Sequence, residues 1–326
     1  VLPEVASWMR RRTSAAADWP PHALLAAKGG ARVSVVLPAR DEEETVGAIV
    51  GAIRRDLVER TPLVDEIVVV DSRSADRTAA VAAAAGAEVV AQDEVLPGEG
   101  RMSGKGEALW KSLAVTTGDL LVFVDADLRG FTSSYVTGLL GPLLDDPAVA
   151  YVKGCYDRPL LTGGGAVEGG GGRVTELVAR PLLNLHWPRL AGVMQPLGGE
   201  YAGRRELLER LPFVTGYGVE IGLLLDVYGR AGLDAIAQVD LGRRVHSHQS
   251  TEALGAMSGQ IMLTAWSRLQ RHGRMLPLEA PATALTQFRR GGDGPAEARV
   301  SDVGVGERPP MAEVPGYAAA RRSLTS

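Results

Sequence analysis

A chain of 326 residues, 45% hydrophobic and 23% charged, can bury a large core as one α/β domain or as a domain with an appendage. Its formal net charge of −4 gives no broad basic footprint, which argues against a nucleic-acid partner. A single cysteine, Cys155, excludes an intrachain disulfide framework and a cysteine-cluster metal site. There is no run of 18 apolar residues and no signal-peptide order near Val1, so the expectation is a cytoplasmic protein without a membrane segment.

Residues 1–30, with Trp8, Trp19 and Pro20-Pro21, read as an N-terminal arm. Regular alternation starts at Val33: a buried strand Val33–Leu37 is stopped by Pro38, and Asp41-Glu42-Glu43-Glu44 is expected to open a helix whose early acids suit its positive end. A second strand, Glu66–Val70, ends in Asp71-Ser72, and a helix opening near Ser74 runs to Gly86. A third strand at Glu88–Val90 leads through a Pro and Gly loop to Gly104-Lys105-Gly106 and another helix. The strand Leu121–Val124 follows and stops at Asp125-Ala126-Asp127.

The second half, from 148, is less regular. Ala148–Cys155 reads as a strand, and residues 163–172 contain seven glycines before a helix beginning near Arg173. Val193–Tyr201 reads as a strand and turn, Arg204–Leu211 as a short helix and Gly218–Arg230 as a helix. The strand Leu233–Val239 precedes the polar cluster 243–248, and Thr251–Arg271 is a long helix. From 289 to 326 the composition turns to Gly, Pro, Asp and Arg, and a loosely ordered tail is expected, with Arg308-Pro309-Pro310 as a segment that docks. The whole predicts an α/β fold, a mostly parallel sheet flanked by helices, with residues 31–147 as the nucleotide-binding half and 148–288 as the second half.

Polar residues collect at the carboxyl ends of three strands, where open α/β sheets bind ligands. No GxGxxG follows the first strand and no GxxxxGK[ST] occurs, so neither the dinucleotide nor the P-loop fingerprint is present. In an extended backbone, Asp125 and Asp127 would point the same way, and paired hard oxygens suit a divalent cation that also holds a diphosphate. Taken alone, the same residues could simply cap the next helix.

Pro38-Ala39-Arg40-Asp41-Glu42-Glu43, Val70-Asp71-Ser72, Gly104-Lys105-Gly106 and Asp125-Ala126-Asp127 together resemble the nucleotide-sugar site of GT-A glycosyltransferases. Later segments narrow the resemblance. Gly172-Arg173-Val174-Thr175, Gln195-Pro196-Leu197, Gly199-Glu200-Tyr201 and Gly216–Gly222 are similar to the glucosyl-3-phosphoglycerate synthase family of actinobacteria. This likeness covers roughly residues 30–290 and implies a GT-A, Rossmann-like fold with a C-terminal acceptor-binding portion. It also implies retaining transfer of glucose from UDP-glucose to the 2-hydroxyl of 3-phosphoglycerate, with Mg²⁺ or Mn²⁺, in a homodimer.

Carried across residue by residue, the resemblance puts Pro38, Ala39, Arg40, Glu42 and Ser72 around the uridine, with Lys105, Asp125 and Ala126 completing the donor site. Asp127 and His246 would hold the metal. Gly172, Arg173, Thr175, Tyr217, Glu220, Arg244 and His248 would receive the acceptor. The Leu197 carbonyl would orient the acceptor hydroxyl, and Glu200 would touch glucose hydroxyls. A bound cation neutralises the departing diphosphate, so the leaving group needs no proton. Backbone N–H groups where the glycine loop meets the helix at Arg173 can cradle a phosphate.

Departures from the family pattern are Arg40-Asp41 for Leu-Asn, Ala126 for serine, and Ser247-His248-Gln249 for Arg-Asn-Arg. They leave open a GDP-mannose donor or another phosphorylated acceptor on the same fold. A protein that binds nucleotide sugars without catalysis is the reading from a different class.

Overall fold

The computed structural model describes residues 1–157, 160–162, 165–167, 172–244, 250–290, 296–319 and 321. Helix α1 (Pro3–Arg12), strand β1 (Thr13–Ala15) and helix α2 (Pro21–Lys28) precede the regular units. These are β2 (Val33–Ala39), α3 (Val46–Ile53), β3 (Glu66–Asp71), α4 (Thr78–Ala84), β4 (Glu88–Ala91), α5 (Lys105–Val115), β5 (Leu120–Phe123) and α6 (Ser134–Asp145). Then come β6 (Tyr151–Asp157), the antiparallel pair β7 (Leu160–Thr162) and β8 (Gly165–Val167), α7 (Arg180–His186), β9 (Tyr201–Arg204) and α8 (Arg205–Leu208). Strand β10 (Phe213–Val214), α9 (Val219–Ala231), β11 (Ile236–Arg243) and α10 (Thr251–Arg271) follow. A second antiparallel pair, β12 (Ala284–Arg290) with β13 (Ala296–Asp302), leads to β14 (Glu307–Arg308), which pairs with β10.

The central sheet has eight strands in the order β1-β11-β6-β9-β5-β2-β3-β4. Every pairing is parallel except those of β9, which runs antiparallel to both β5 and β6. The sheet therefore runs across position 147, because a strand from the second half is inserted between β5 and β6. Alternation explains the apolar runs. Leu121 and Phe123 of β5 join the core shared with α5, α9 and α10, whereas Leu120 and Val122 join the core shared with α3 and α6. The arm is part of this arrangement. Trp8 is fully buried, donates from Nε1 to the Ile236 carbonyl at 2.8 Å, and leads into β1, which extends the sheet beside β11.

Several expectations are corrected. The acids at 41–44 do not open a helix, since α3 begins only at Val46. Asp41 adopts a left-handed φ of 56°, its Oδ1 accepts from the Ala75 N–H at 2.7 Å and its N–H donates to Ser74 Oγ at 3.0 Å, so this stretch joins two strand-end loops instead. The segment before β9 is an irregular loop, consistent with Pro196 lacking a ladder N–H. One 3₁₀ turn, Leu233–Ala235, delays β11 to Ile236, and the strand then runs on to Arg243.

Where a loose tail is expected, the chain pairs β12 with β13 and then docks β14. Arg308 is 4% exposed and makes a two-pronged ion pair with Glu107, at 2.7 and 2.8 Å. It also donates to the Glu99 and Gly100 carbonyls at 2.6 and 2.9 Å, and its neighbour's carbonyl, that of Pro309, accepts from Trp110 Nε1 at 2.8 Å. These bonds fasten the C-terminal segment to the loop before α5 and to α5 itself. Glu107 is fully buried, and its other cation is Lys111 at 3.3 Å. Among the described residues no helix is long and apolar enough to cross a membrane.

Arg308→Ala strips a buried carboxylate of its bidentate partner and is expected to destabilise the fold by about 3 kcal/mol, read from the urea unfolding midpoint. Glu107→Gln would leave the buried Lys111 ammonium without its carboxylate, so the double variant Glu107→Gln, Arg308→Met should lose at least as much as Arg308→Ala alone.

Candidate active site

Chain ends from both halves meet above the carboxyl edge of the sheet. Strand β5 stops at Phe123, and the backbone turns at Ala126 and Asp127 rather than remaining extended. The two aspartates nevertheless face a common partner, through this turn and not through strand alternation. Ala126 between them is buried in the core on the α3 and α6 side.

Lys105 is the first residue of α5, placed by Gly104 at φ 110° and by the Gly106 N–H bonded to the Thr215 carbonyl at 3.0 Å. Its ammonium pairs with Asp125 and, at 2.8 Å, with Glu220 in the first turn of α9. Gly199 lets this pair form: a Cβ there would fall on the Asp125 carboxylate and on Lys105 Nζ. Arg244, just past β11, closes the group. Its guanidinium reaches Glu200 at 2.6 Å, Asp127 at 2.8 Å, Asp125 at 3.4 Å and the Tyr156 hydroxyl at 2.8 Å, and that hydroxyl donates to Glu200 at 2.8 Å.

The site is electrostatically polarised. Burial pushes the Asp125 carboxyl up, but the charges of Lys105 and Arg244 outweigh it and hold the group well below the usual carboxylate range. Asp127 is raised by burial and by the negative charge of Asp125, against the pull of Arg244. Glu200, fully buried, is raised chiefly by burial, with Arg244 opposing. Lys105 and Arg244 are both held protonated, because their carboxylate partners outweigh the desolvation that disfavours charge.

Of the residues expected at the donor, Pro38 and Ala39 end β2, and the Ala39 carbonyl accepts from the Ser72 N–H at 2.8 Å. Ser72 Oγ donates to Gln92 at 2.8 Å, and Gln92 Nε2 reaches the Met102 carbonyl at 3.2 Å, which ties the β3 end to the loop that delivers Lys105. Glu42 is raised by burial, with a Thr45 hydrogen bond opposing and the charges of Asp127, Asp125 and Asp76 adding. Arg40 is largely exposed and lies 3.7 Å from Asp41. Leu197 sits in the loop before β9, partly buried against the core.

Of the residues expected at the acceptor, Gly172 takes φ 76° and its carbonyl accepts from the Glu176 N–H at 3.0 Å. Arg173 is half-buried and Thr175 is buried, at the start of a helical stretch that continues through Thr175–Ala179 into α7. Tyr217 is exposed, with its N–H bonded to Gln260 at 2.8 Å. The structure thus brings Lys105, Asp125, Asp127, Glu200, Glu220 and Arg244 into one cluster. His246 and His248 lie outside the described residues, as does most of the glycine stretch.

The donor set suits a hard divalent cation. Asp127 is half exposed, carries a carboxylate that the surrounding negative charge disfavours, and gains from a nearby cation; in this structure Arg244 provides one. Among the described residues no group of three or more His, Cys, Asp or Glu side chains could hold a metal ion, and of the expected pair Asp127 and His246 only Asp127 is described. Sequence reasoning missed Tyr156, Lys153 and Gln92, and named Gly199 only as part of a motif. Lys153 had a readable signal, a charge inside the apolar run of β6.

The sequence model of Glycosyl transferase family 2 matches residues 34–163. The glucosyl-3-phosphoglycerate synthase of Mycolicibacterium smegmatis is 50% identical over 304 residues, 93% of this chain and 97% of the relative. The crystal structure of mannosyl-3-phosphoglycerate synthase from Rubrobacter xylanophilus superposes with a TM-score of 0.88 at 43% identity, covering 95% of this chain and 99% of that one. Glucosyl-3-phosphoglycerate synthase from Mycobacterium tuberculosis, solved with Mn²⁺, UDP and phosphoglyceric acid, gives a TM-score of 0.79 at 46% identity over 90% and 95% of the two chains. Other structures of that enzyme hold UDP-glucose or Mg²⁺. Full-length similarity of this order, on a GT-A sheet whose strand ends gather the lysine, the aspartates and the arginine described above, establishes that the chain belongs to the glucosyl-3-phosphoglycerate synthase family of glycosyltransferases.

Proposed function

We propose that this glycosyltransferase moves glucose from UDP-glucose to the 2-hydroxyl of 3-phosphoglycerate with retention of configuration, in the cytoplasm and as a homodimer. The observation that carries the reading is the convergence of Lys105, Asp125, Asp127 and Glu220 at the strand ends, in a chain 50% identical to such a synthase over nearly its whole length. Pro38, Ala39, Glu42 and Ser72 would line the nucleoside pocket. Lys105 and Asp125 would face the ribose and diphosphate. Asp127 with His246 would hold Mg²⁺ or Mn²⁺, whose charge stabilises the diphosphate as it departs.

On this reading, no side chain has to act as a strong base. A leaving diphosphate oxygen would take the acceptor proton on the face where the sugar bond breaks, while the Leu197 carbonyl holds the acceptor hydroxyl. Glu200, anchored by Tyr156 and Arg244, would meet the glucose hydroxyls. Arg173, Thr175 and the backbone after Gly172 would bind the phosphate of the acceptor, helped by Tyr217, Glu220, Arg244 and His248.

A second reading keeps the acceptor and exchanges the donor for GDP-mannose. It is favoured by the 0.88 TM-score to the mannosyl enzyme and by the largely exposed guanidinium of Arg40 next to Ala39.

Nucleotide release measured with UDP-glucose and with GDP-mannose, each against 3-phosphoglycerate, separates the readings. The expected outcome is turnover with UDP-glucose at least tenfold faster; a preference for GDP-mannose selects the second donor, and tight donor binding without transfer to any phosphorylated acceptor selects a sensor. Asp127→Ala should lower metal-dependent transfer by at least about 100-fold while the protein stays folded by circular dichroism. Full activity in that variant would remove Asp127 from the metal site.

A further inference from the structure

Lys153 lies in the middle of β6 and is 1% exposed. Its ammonium donates to the Gly198 carbonyl and sits 5.0 Å from the ring centre of Tyr201, its partner across the β6–β9 ladder. The rest of loop 195–200 is fastened to the same strand. The Gly154 N–H donates to the Glu200 carbonyl at 2.8 Å, and Gln195 Nε2 donates to the Tyr156 carbonyl at 2.5 Å. A Cβ on Gly198 would stand 3.1 Å from the Gly154 carbonyl, while one on Gly199 would strike the Asp125 carboxylate. The loop is therefore clamped between β6 and the donor-site carboxylate, and the Leu197 carbonyl is one peptide away from the carbonyl that Lys153 holds.

The charge itself is unfavourable for the core. Desolvating an ammonium beside a carbonyl and a ring costs stability, whereas methionine has similar length and carries no charge to desolvate. The charged groups facing Lys153 are Glu220 from α9, Lys105 from α5, Glu200 from the loop before β9 and Asp125 after β5. Burial lowers its pKa to about 8, with Lys105 adding to the shift and the three carboxylates opposing it.

We infer that Lys153 is a positioning residue for the transfer reaction: its buried ammonium fixes the Gly198 peptide, and with it the direction of the Leu197 carbonyl and the placement of Glu200. The inference rests on the proposed function in taking Leu197 and Glu200 as the groups that meet the acceptor hydroxyl and the sugar.

The test is Lys153→Met in the full chain. Its thermal midpoint should equal or exceed that of the wild type, and its KM for UDP-glucose should stay within about threefold, while kcat falls by about 10- to 100-fold, the penalty for a misplaced group. Wild-type kcat should decline as pH rises through about 8, where Lys153 loses its proton, and the variant should lack this limb. Loss of stability does not produce the same decline. The native lysine binds its proton less tightly than the unfolded chain does, so its contribution to stability increases with pH from about 8 towards the ordinary value of 10.5. Amide exchange at residues 195–200 in the ligand-free protein, corrected for intrinsic rates, should accelerate in the variant. A folded Lys153→Met protein with wild-type kcat, or with unchanged exchange across 195–200, overturns the inference. A wild type that turns over neither UDP-glucose nor GDP-mannose with 3-phosphoglycerate overturns the proposed function, and the exchange measurement still decides the role of Lys153.

Discussion

The site is organised by a balance of buried charge. Asp125, Asp127, Glu200 and Glu220 crowd one cleft, an arrangement that could not persist dry without cations between them. Lys105 separates Asp125 from Glu220, and Arg244 joins Asp125, Asp127 and Glu200. Both cations come from element ends, one at the start of α5 and one just past β11, so the positions of the helix and the strand are also the positions of the charges. The carbon-free side of Gly199 and the tight approach of Gly106 to Thr215 are steric consequences of the same requirement.

This balance prepares the cleft for a charged ligand. A diphosphate needs positive charge, and Lys105 already carries it under the hold of two carboxylates. A divalent cation needs a hard oxygen, and Asp127 has one whose ionisation burial and the charge of Asp125 disfavour even with Arg244 alongside. Antiparallel β9 contributes in another way. By entering between β5 and β6 it carries Glu200 into the centre of the sheet edge, within reach of both Tyr156 and Arg244.

Much of this was legible because strand ends in an α/β sheet are chemically marked. The apolar runs that end at Val70 and Val124 each stop at an aspartate, the run from Val33 stops at Pro38, and those residues lie at the carboxyl edge. The GT-A likeness followed from motifs at those same ends, and later segments such as Gly172–Thr175 and Gly216–Gly222 narrowed it to one family over roughly residues 30–290. Other features left no local trace. The acids at 41–44 have the composition of a helix start, yet Asp41 turns left-handed because Ala75 and Ser74, more than thirty residues away, supply its hydrogen bonds. The partnership of Asp125 with Asp127 was anticipated from strand alternation, but Arg244 and a turn bring it about. Tyr156 lies just past the expected strand Ala148–Cys155, and its hydroxyl acquires a role only when Glu200 arrives from the loop before β9.

The clasp of Arg308 on Glu107 spans 201 positions of sequence and has a consequence for biogenesis. During synthesis, the segment bearing Lys105 leaves the ribosome long before Arg308 is made. Until then Glu107 and Trp110 lack the contacts that fasten α5 from outside, and the apolar face awaiting Met311 and Val314 stays uncovered. Contacts of such long range form late and lengthen the time a nascent chain exposes sticky surface. The helix that carries Lys105 thus gains its outer fastening only once the segment around Arg308 has been made.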